Sequence, residues 1–230
     1  MAGTIEAAYA AAPWLRHAEV AGCRVILDLR VERYRVLNQA ASMMWCALTG
    51  ESSVAGAIEA LSATYQVEES RLISDMETFG RQCLEEGLLK RAIDGCEASY
   101  TDAQAVRHAG PSIMLALYSL VATARSVRRH GFAATYKRYE RLARGESSQP
   151  GAKALRAFSR AENLFVAARA PDDCLVRSLA LFRFLNRSGC RAVHVIGVQR
   201  FPFRAHAWVE CDGQPALQSS VERYTPLARI

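Results

Sequence analysis

The sequence has no apolar run long enough to cross a bilayer. Its longest, Ile113 to Ala124, is interrupted by Tyr118, Ser119 and Thr123, where a span needs about twenty apolar residues. The N-terminus gives no secretory signal: Met1 to Ala12 carries Glu6 and no basic stretch. There is no C-x-x-C. The seven cysteines (Cys23, Cys46, Cys83, Cys96, Cys174, Cys190 and Cys211) are odd in number and scattered. This excludes a disulfide framework and a paired-cysteine zinc site, and a reducing cytoplasm fits best. No heptad is sustained, so a coiled coil is out. With half of the residues hydrophobic, so is a disordered chain. No Gly-x-x-x-x-Gly-Lys occurs, so nothing suggests that the chain uses ATP itself.

What is present is enough for one large domain or two small ones: 230 residues, at about 100–200 per domain. The charge divides unevenly. Residues 1–97 hold nine basic and fourteen acidic side chains, and residues 98–230 hold twenty and nine. The first part is therefore net −5 and the second +11. Two modules with a boundary near residue 97 follow from this, and opposite charges attract.

In the first part, Cys23 to Leu37 reads as a hairpin. Val25, Leu27 and Leu29 fall on one face, and Arg33 to Leu37 returns after a break. Asn38 caps a helix from Ala40 to Leu48, and Gly50 stops it. Ser52 or Ser53 caps a second, with Val54, Ile58, Leu61 and Tyr65 at helical spacing. Glu68 or Glu69 opens a third, with Leu72, Met76, Phe79 and Cys83 on one stripe, and Gly87 ends it. Strands plus three short helices describe a winged-helix-like module. DNA is excluded by charge, because the third helix sets Glu68, Glu69, Asp75, Glu77, Glu85 and Glu86 against only Arg71 and Arg81, and a duplex would repel it. What remains is a structural domain, or a peptide binder that pairs an extended segment to a strand edge.

The run Tyr34-Arg35-Val36-Leu37-Asn38, then Trp45, Leu48-Thr49-Gly50, Leu61, Tyr65, Asp75, Phe79 and Glu86-Gly87-Leu88-Leu89 resembles the PqqD-like family over roughly residues 18–92. These are the leader-peptide recognition elements of ribosomally made natural products. The resemblance implies that a leader adds a strand beside Arg33, Tyr34, Arg35, Val36 and Leu37 and rests against Leu72, Asp75, Met76 and Phe79.

The middle is helical: Tyr100 to Ala109, Ser112 to Val127 and Phe132 to Arg144, broken at Gly110-Pro111 and His130-Gly131. Arg125, Arg128, Arg129, Lys137, Arg138, Arg141 and Arg144 form a basic face. It is a solvated surface or a dock for an acidic partner. His108 and His130 have no ligand-spaced neighbours and read as surface residues.

The chemistry is concentrated in the last sixty residues. Asp172 or Asp173 caps a helix that starts at Cys174 and runs through Leu185 to Gly189. A cysteine there meets unpaired N–H groups and the positive end of the helix dipole, both of which favour a thiolate; the aspartates oppose this. The same N–H groups suit an oxyanion hole. Strands follow at Ala192 to Val198 and Ala205 to Cys211. The second sets His206, Trp208 and Glu210 on one face and Ala205, Ala207 and Val209 on the other. After the Asp212-Gly213 turn signal, a third strand runs from Pro215 to Ser219. A helix-start cysteine and a strand histidine are the parts of a thiol nucleophile with its base. Cys190 and Cys211 read as buried thiols, and His194 as structural.

Cys174-Leu175-Val176-Arg177-Ser178-Leu179-Ala180-Leu181 and Phe203-Arg204-Ala205-His206-Ala207-Trp208-Val209-Glu210 resemble the transglutaminase-like cysteine peptidases of lasso peptide biosynthesis, over about residues 110–230. A PqqD-like module fused ahead is a known arrangement of that family. The fold class implied is α+β: a winged-helix-like PqqD-type module (1–97), then a papain/transglutaminase-like peptidase domain (98–230). The implied roles are Cys174 as nucleophile and His206 as general base. The family's orienting Asp, about twelve residues after the His, is replaced by Gln218. A three-residue loop sets Gln218 on the His206 face; a two-residue loop brings Ser219 opposite His206 instead. Asp212 and Glu222 are further candidates. The partners implied are a lasso precursor peptide and a separate asparagine-synthetase-like, ATP-dependent lasso cyclase. No cofactor, metal, nucleic acid or membrane is implied. A non-catalytic escort and a true acyltransferase are the competing readings.

Overall fold

The computed structural model describes residues 9–91, 109–142, 145–147, 150–165, 174–217 and 221–230. It is a mixed helix and strand fold. Its main division into two compact units falls between Tyr100 and Thr101.

The first unit runs β1 (Tyr9–Ala11), β2 (Leu15–Val20), β3 (Cys23–Asp28), β4 (Arg33–Val36), α1 (Gln39–Leu48), α2 (Val54–Tyr65), α3 (Glu69–Glu85) and β5 (Leu89–Arg91). The expected hairpin is β3–β4, with Val25 opposite Val36 and Asp28 opposite Arg33. It gains a third strand, because β2 pairs with β3 on the other side. Strand β2 escapes a pattern search: its buried residues, Leu15 and Val20, stand at its ends with Arg16, His17 and Glu19 between them. Strand β5 turns back from α3 to pair with β1.

The caps follow the side-chain chemistry. Asn38 accepts from the Ala41 N–H, and Ser53 from the Gly56 N–H. The core gathers Ile26 from the sheet, Trp45 and Leu48 from α1, Leu61 from α2, and Leu72, Met76 and Cys83 from α3. Each large side chain so buried contributes about 1.5–3 kcal/mol. Burial pushes the Cys83 thiol up to about 11, so it stays protonated and packs as a small apolar group. Arg24 is tolerated within β3 because its Nη2 donates to Glu51 Oε2 at 2.6 Å and to Cys46 Sγ at 2.7 Å.

The second unit contains α4 (Ile113–Glu140), α5 (Ala152–Phe165), α6 (Cys174–Arg187), β6 (Ala192–Gln199), β7 (Arg204–Cys211), β8 (Gln214–Pro215) and β9 (Thr225–Arg229). The two helices expected on either side of His130-Gly131 are one element with a kink at Gly131, where φ is +79°. Helix α5 and strand β9 were not expected. The helix expected over Tyr100–Ala109 lies almost wholly outside the described residues, as do His108 and Pro171 to Asp173, with the caps expected for α6.

The sheet order is β8-β7-β6-β9, all antiparallel. Helix α6 lies on one face of it. Val176, Leu179, Ala180, Phe182, Phe184 and Leu185 are all buried, which explains an apolar run broader than one helical stripe. No described helix is long and apolar enough to cross a membrane.

Candidate active site

Helix α6 delivers Cys174 as its first residue. Side chains three and four positions on share its face. Accordingly Cys174, Arg177, Ser178 and Leu181 line one cleft, together with Phe158 of α5, Ala207, Trp208 and Val209 of β7, and Leu217. The Cys174 side chain is half-buried.

The seating of α6 depends on Ser178 and His194. His194 is fully buried on β6, with Nε2 2.8 Å from Ser178 Oγ. Ser178 Oγ also lies 2.6 Å from the Cys174 carbonyl and donates to it. Tyr136 of α4 and Phe182 of α6 pack edge-on against the imidazole. Burial depresses His194 to about 3, so the ring is neutral. Since His194 stands opposite Val209 and Ile196 opposite Ala207, the face under α6 carries His194, Ala207 and Val209.

His206, Trp208 and Glu210 belong to the other face of β7. The His206 ring stacks on Trp208, with centroids 6.1 Å apart and planes 13° apart, and lies 5.4 Å from the Tyr224 ring. Trp208 is fixed in turn. Its Nε1 donates to Glu210 Oε1 at 2.8 Å, and Arg229 Nη1 donates to Glu210 Oε2 at 2.7 Å. Gly197 faces the indole across β6: a Cβ there would stand 2.6 Å from Trp208 Cη2. Trp208 thus lines the Cys174 cleft and also stacks against the His206 ring, which is not itself among the residues lining that cleft. The alternation of β7 foretold the shared face of His206 and Trp208. Gly197 and Tyr224 carried no signal that sequence reasoning could use.

The β7–β8 loop has two residues, Asp212-Gly213, with Glu210 opposite Pro215 and Cys211 opposite Gln214. Both loop residues have positive φ, +53° and +72°, as a primed hairpin turn requires. Of the two alternatives, this register is the one in which Ser219 would come opposite His206. Pairing is described only as far as the Ala216 N–H, which donates to the Val209 carbonyl. Gln218 and Ser219 lie outside the described residues. Asp212, the first residue of the β7–β8 loop, follows His206 by six residues, about 20 Å along an extended strand. Glu222, two residues before Tyr224, is exposed.

In the first unit, β4 is the edge of its sheet. The Leu37 N–H donates to the Arg24 carbonyl. In antiparallel pairing, Arg33, Arg35 and Leu37 therefore bond to β3, and the main-chain groups of Tyr34 and Val36 point outward. Val36 is exposed. Leu72 and Met76 are 5% and 0% exposed and belong to the core. Their side chains are spent on packing, which corrects the expectation that they face a leader. Asp75 is exposed and Phe79 half-buried.

Among the described residues, no three His, Cys, Asp or Glu side chains gather as a metal site.

Residues 23–89 match the family model for coenzyme PQQ synthesis protein D, PqqD. Over 43 residues the chain is 51% identical to the microcin J25-processing protein McjB of Escherichia coli. That stretch is 19% of this chain and 21% of the relative, so the match spans about a fifth of the relative's length. Two solved structures are also similar. TbiB1 in complex with the TbiA(beta) leader peptide is 22% identical, with 40% of this chain and 99% of that one covered and a TM-score of 0.31. Lasso peptide synthetase B1 complexed with the leader peptide is 24% identical, with 36% and 96% covered and a TM-score of 0.32. Residues 114–229, half of the chain, match the model of the transglutaminase-like superfamily, and the chain belongs to that superfamily.

Proposed function

We propose that this protein is a lasso peptide B protein, a leader peptidase with its own leader-binding module. The observation that carries the reading is the placement of Cys174 at the start of α6, in a cleft it shares with Trp208, the residue on which His206 stacks. The PqqD match before a transglutaminase-like match supports the pairing of functions, and so does likeness to a protein named for processing microcin J25.

In this mechanism the leader of a precursor peptide adds to the β4 edge. Tethering then presents the leader–core bond to the second module at high effective concentration. The Cys174 thiolate attacks the scissile carbonyl, and N–H groups at the start of α6 stabilise the oxyanion. His206 takes the thiol proton and returns it to the departing amine. It then activates the water that hydrolyses the acyl-enzyme. The leader leaves with a free carboxylate and the core with a free amine, ready for ring closure by a separate ATP-dependent, asparagine-synthetase-like cyclase. A side chain that accepts from the far N–H of the imidazole would orient the ring: Gln218 can do so through its amide oxygen, a weaker aid to an imidazolium than a carboxylate. Ser219 and Glu222 are its rivals for the role.

The test is mass spectrometry of a lasso precursor peptide mixed with this protein, with and without a lasso cyclase. Separate leader and core masses are expected, lost in Cys174→Ala and in His206→Ala. Substitution of Gln218, Ser219 and Glu222 by Ala identifies the orienter by rate. An intact precursor in every tube, with tight leader binding by folded protein, would leave a non-catalytic escort. A core joined to an added amine through an amide would mark an acyltransferase.

A further inference from the structure

Arg177 stands one helical turn from Cys174 on the same face of α6, and both line the cleft. Its guanidinium is not left to wander. Glu162 of α5 takes it in a two-point fork, Nε to Oε1 and Nη2 to Oε2, the second at 2.9 Å. The Glu162 side chain is 13% exposed and that of Arg177 48%. The carboxylate is thus the shielded anchor, and the cation remains on the cleft side. Planar forks of this kind hold direction as well as charge.

We propose that Arg177, anchored by Glu162, is a positioning residue that keeps the Cys174 sulfur ionised for attack. This rests on the reading of Cys174 as the nucleophile. The electrostatics agree in direction: Arg177 is held more firmly protonated first by its bond to Glu162 and also by the charge of Cys174, and such coupling is mutual. Among the described residues, the other groups around this end of α6 do not replace it; Asp172 and Asp173, which would oppose a thiolate, lie outside them. The first two turns of α6 hold no other charged side chain. From α5 comes Glu162, whose carboxylate offsets part of the Arg177 charge through the fork. On the strands packed against α6, His194 is neutral, Glu210 is paired with Arg229, and His206 stacks on Trp208. From α4, the Tyr139 hydroxyl is engaged by Arg183, further along α6. Arg177 is then the one fixed positive charge that the described cleft lining supplies.

The experiment is the pH dependence of Cys174 alkylation by iodoacetamide in the full-length protein, followed by peptide mass so that the other cysteines do not interfere. The reaction forms a sulfur–carbon bond, expels iodide and consumes the thiolate, so its midpoint reports ionisation without any peptide substrate. Arg177→Met is expected to raise that midpoint by about one unit, the lower end of the range for a nearby opposite charge because the site is partly exposed. Arg177→Lys, which keeps the charge and loses the fork, is expected to recover at least half of the shift. The acidic limb of kcat/KM for precursor cleavage should move with it. An unchanged midpoint in Arg177→Met, with thermal stability intact, overturns the proposal even if cleavage continues. A shifted midpoint in a protein that cuts no precursor would uphold it while refuting the peptidase reading. If Arg177→Met fails to fold, a midpoint in Arg177→Lys equal to that of a free cysteine overturns it.

Discussion

The imidazole of His194 and the hydroxyl of Ser178 lie 2.8 Å apart in a fully buried setting, and that hydroxyl also donates to the carbonyl of Cys174. Satisfying both bonds puts the imidazole proton on Nε2, where it donates to Ser178. Nδ1 has no hydrogen-bond partner among the described residues. Protonation there would bury a charge. The sign of the pH effect follows. The unfolded chain protonates His194 near 6.5, whereas the folded one resists until about 3. Between those values the unfolded state binds more protons, so this contribution is full above 6.5 and is lost as pH falls toward 3. The slope is about 1.4 kcal/mol per pH unit. Urea midpoints measured from pH 7 to 5 are expected to fall, and His194→Gln should flatten the dependence while lowering stability at pH 7. Equal slopes in the two proteins would refute this.

Ser178→Ala tests the same contact from the other side. It leaves a buried imidazole N–H unpaired, at a cost of about 1–3 kcal/mol. It also frees the first turn of α6, which carries Cys174. A fall in kcat for precursor cleavage beyond what the folded fraction explains is the expected result, read alongside circular dichroism.

Gly197→Ala is expected to harm the site more than the fold. Its Cβ would stand 2.6 Å from the Trp208 ring, nearer than any carbon contact allows. The indole must move, and the His206 ring stacked on it must follow. Cleavage should fall by about tenfold to a hundredfold, with leader affinity unchanged because the PqqD-like module is untouched. Indole fluorescence of the variant would register the displacement independently. Wild-type cleavage would mean that Trp208 does not position His206.

The three helices of the first unit were legible because each carried its own punctuation: Asn38 and Ser53 as caps, Gly87 as a stop with φ at +69°. The face of β7 was legible because its alternation is strict. The site's supports were not. Gly197 matters through a neighbour on another strand, Tyr224 reaches His206 from a segment without periodicity, and Glu162 meets Arg177 from a helix fifteen residues upstream. None of these leaves a local pattern, since each is a product of tertiary packing. Strand β2 failed for a related reason: its polar middle is admitted by pairing with β3, which no local window contains.

The β4 edge gives the sharpest test of leader binding, because neighbouring residues there have opposite duties. The Arg35 N–H belongs to the ladder with β3, while the Val36 N–H points outward from the sheet. Val36→Pro removes the outward donor and keeps the ladder bonds, a substitution that edge strands tolerate. If a leader pairs with this edge, its Kd should rise about five- to tenfold, the worth of about one hydrogen bond, with little change in Tm. Arg35→Pro takes a ladder bond instead and should lower Tm by several degrees, about what the loss of 1 kcal/mol brings in a domain of this size. It also severs the Arg35–Glu86 ion pair, an exposed contact worth little by itself. Fluorescence anisotropy with a labelled leader, paired with thermal melts, separates the two effects. Unchanged leader affinity in Val36→Pro would move the binding site off this strand and leave the exposed Asp75 and half-buried Phe79 on α3 as its remaining markers.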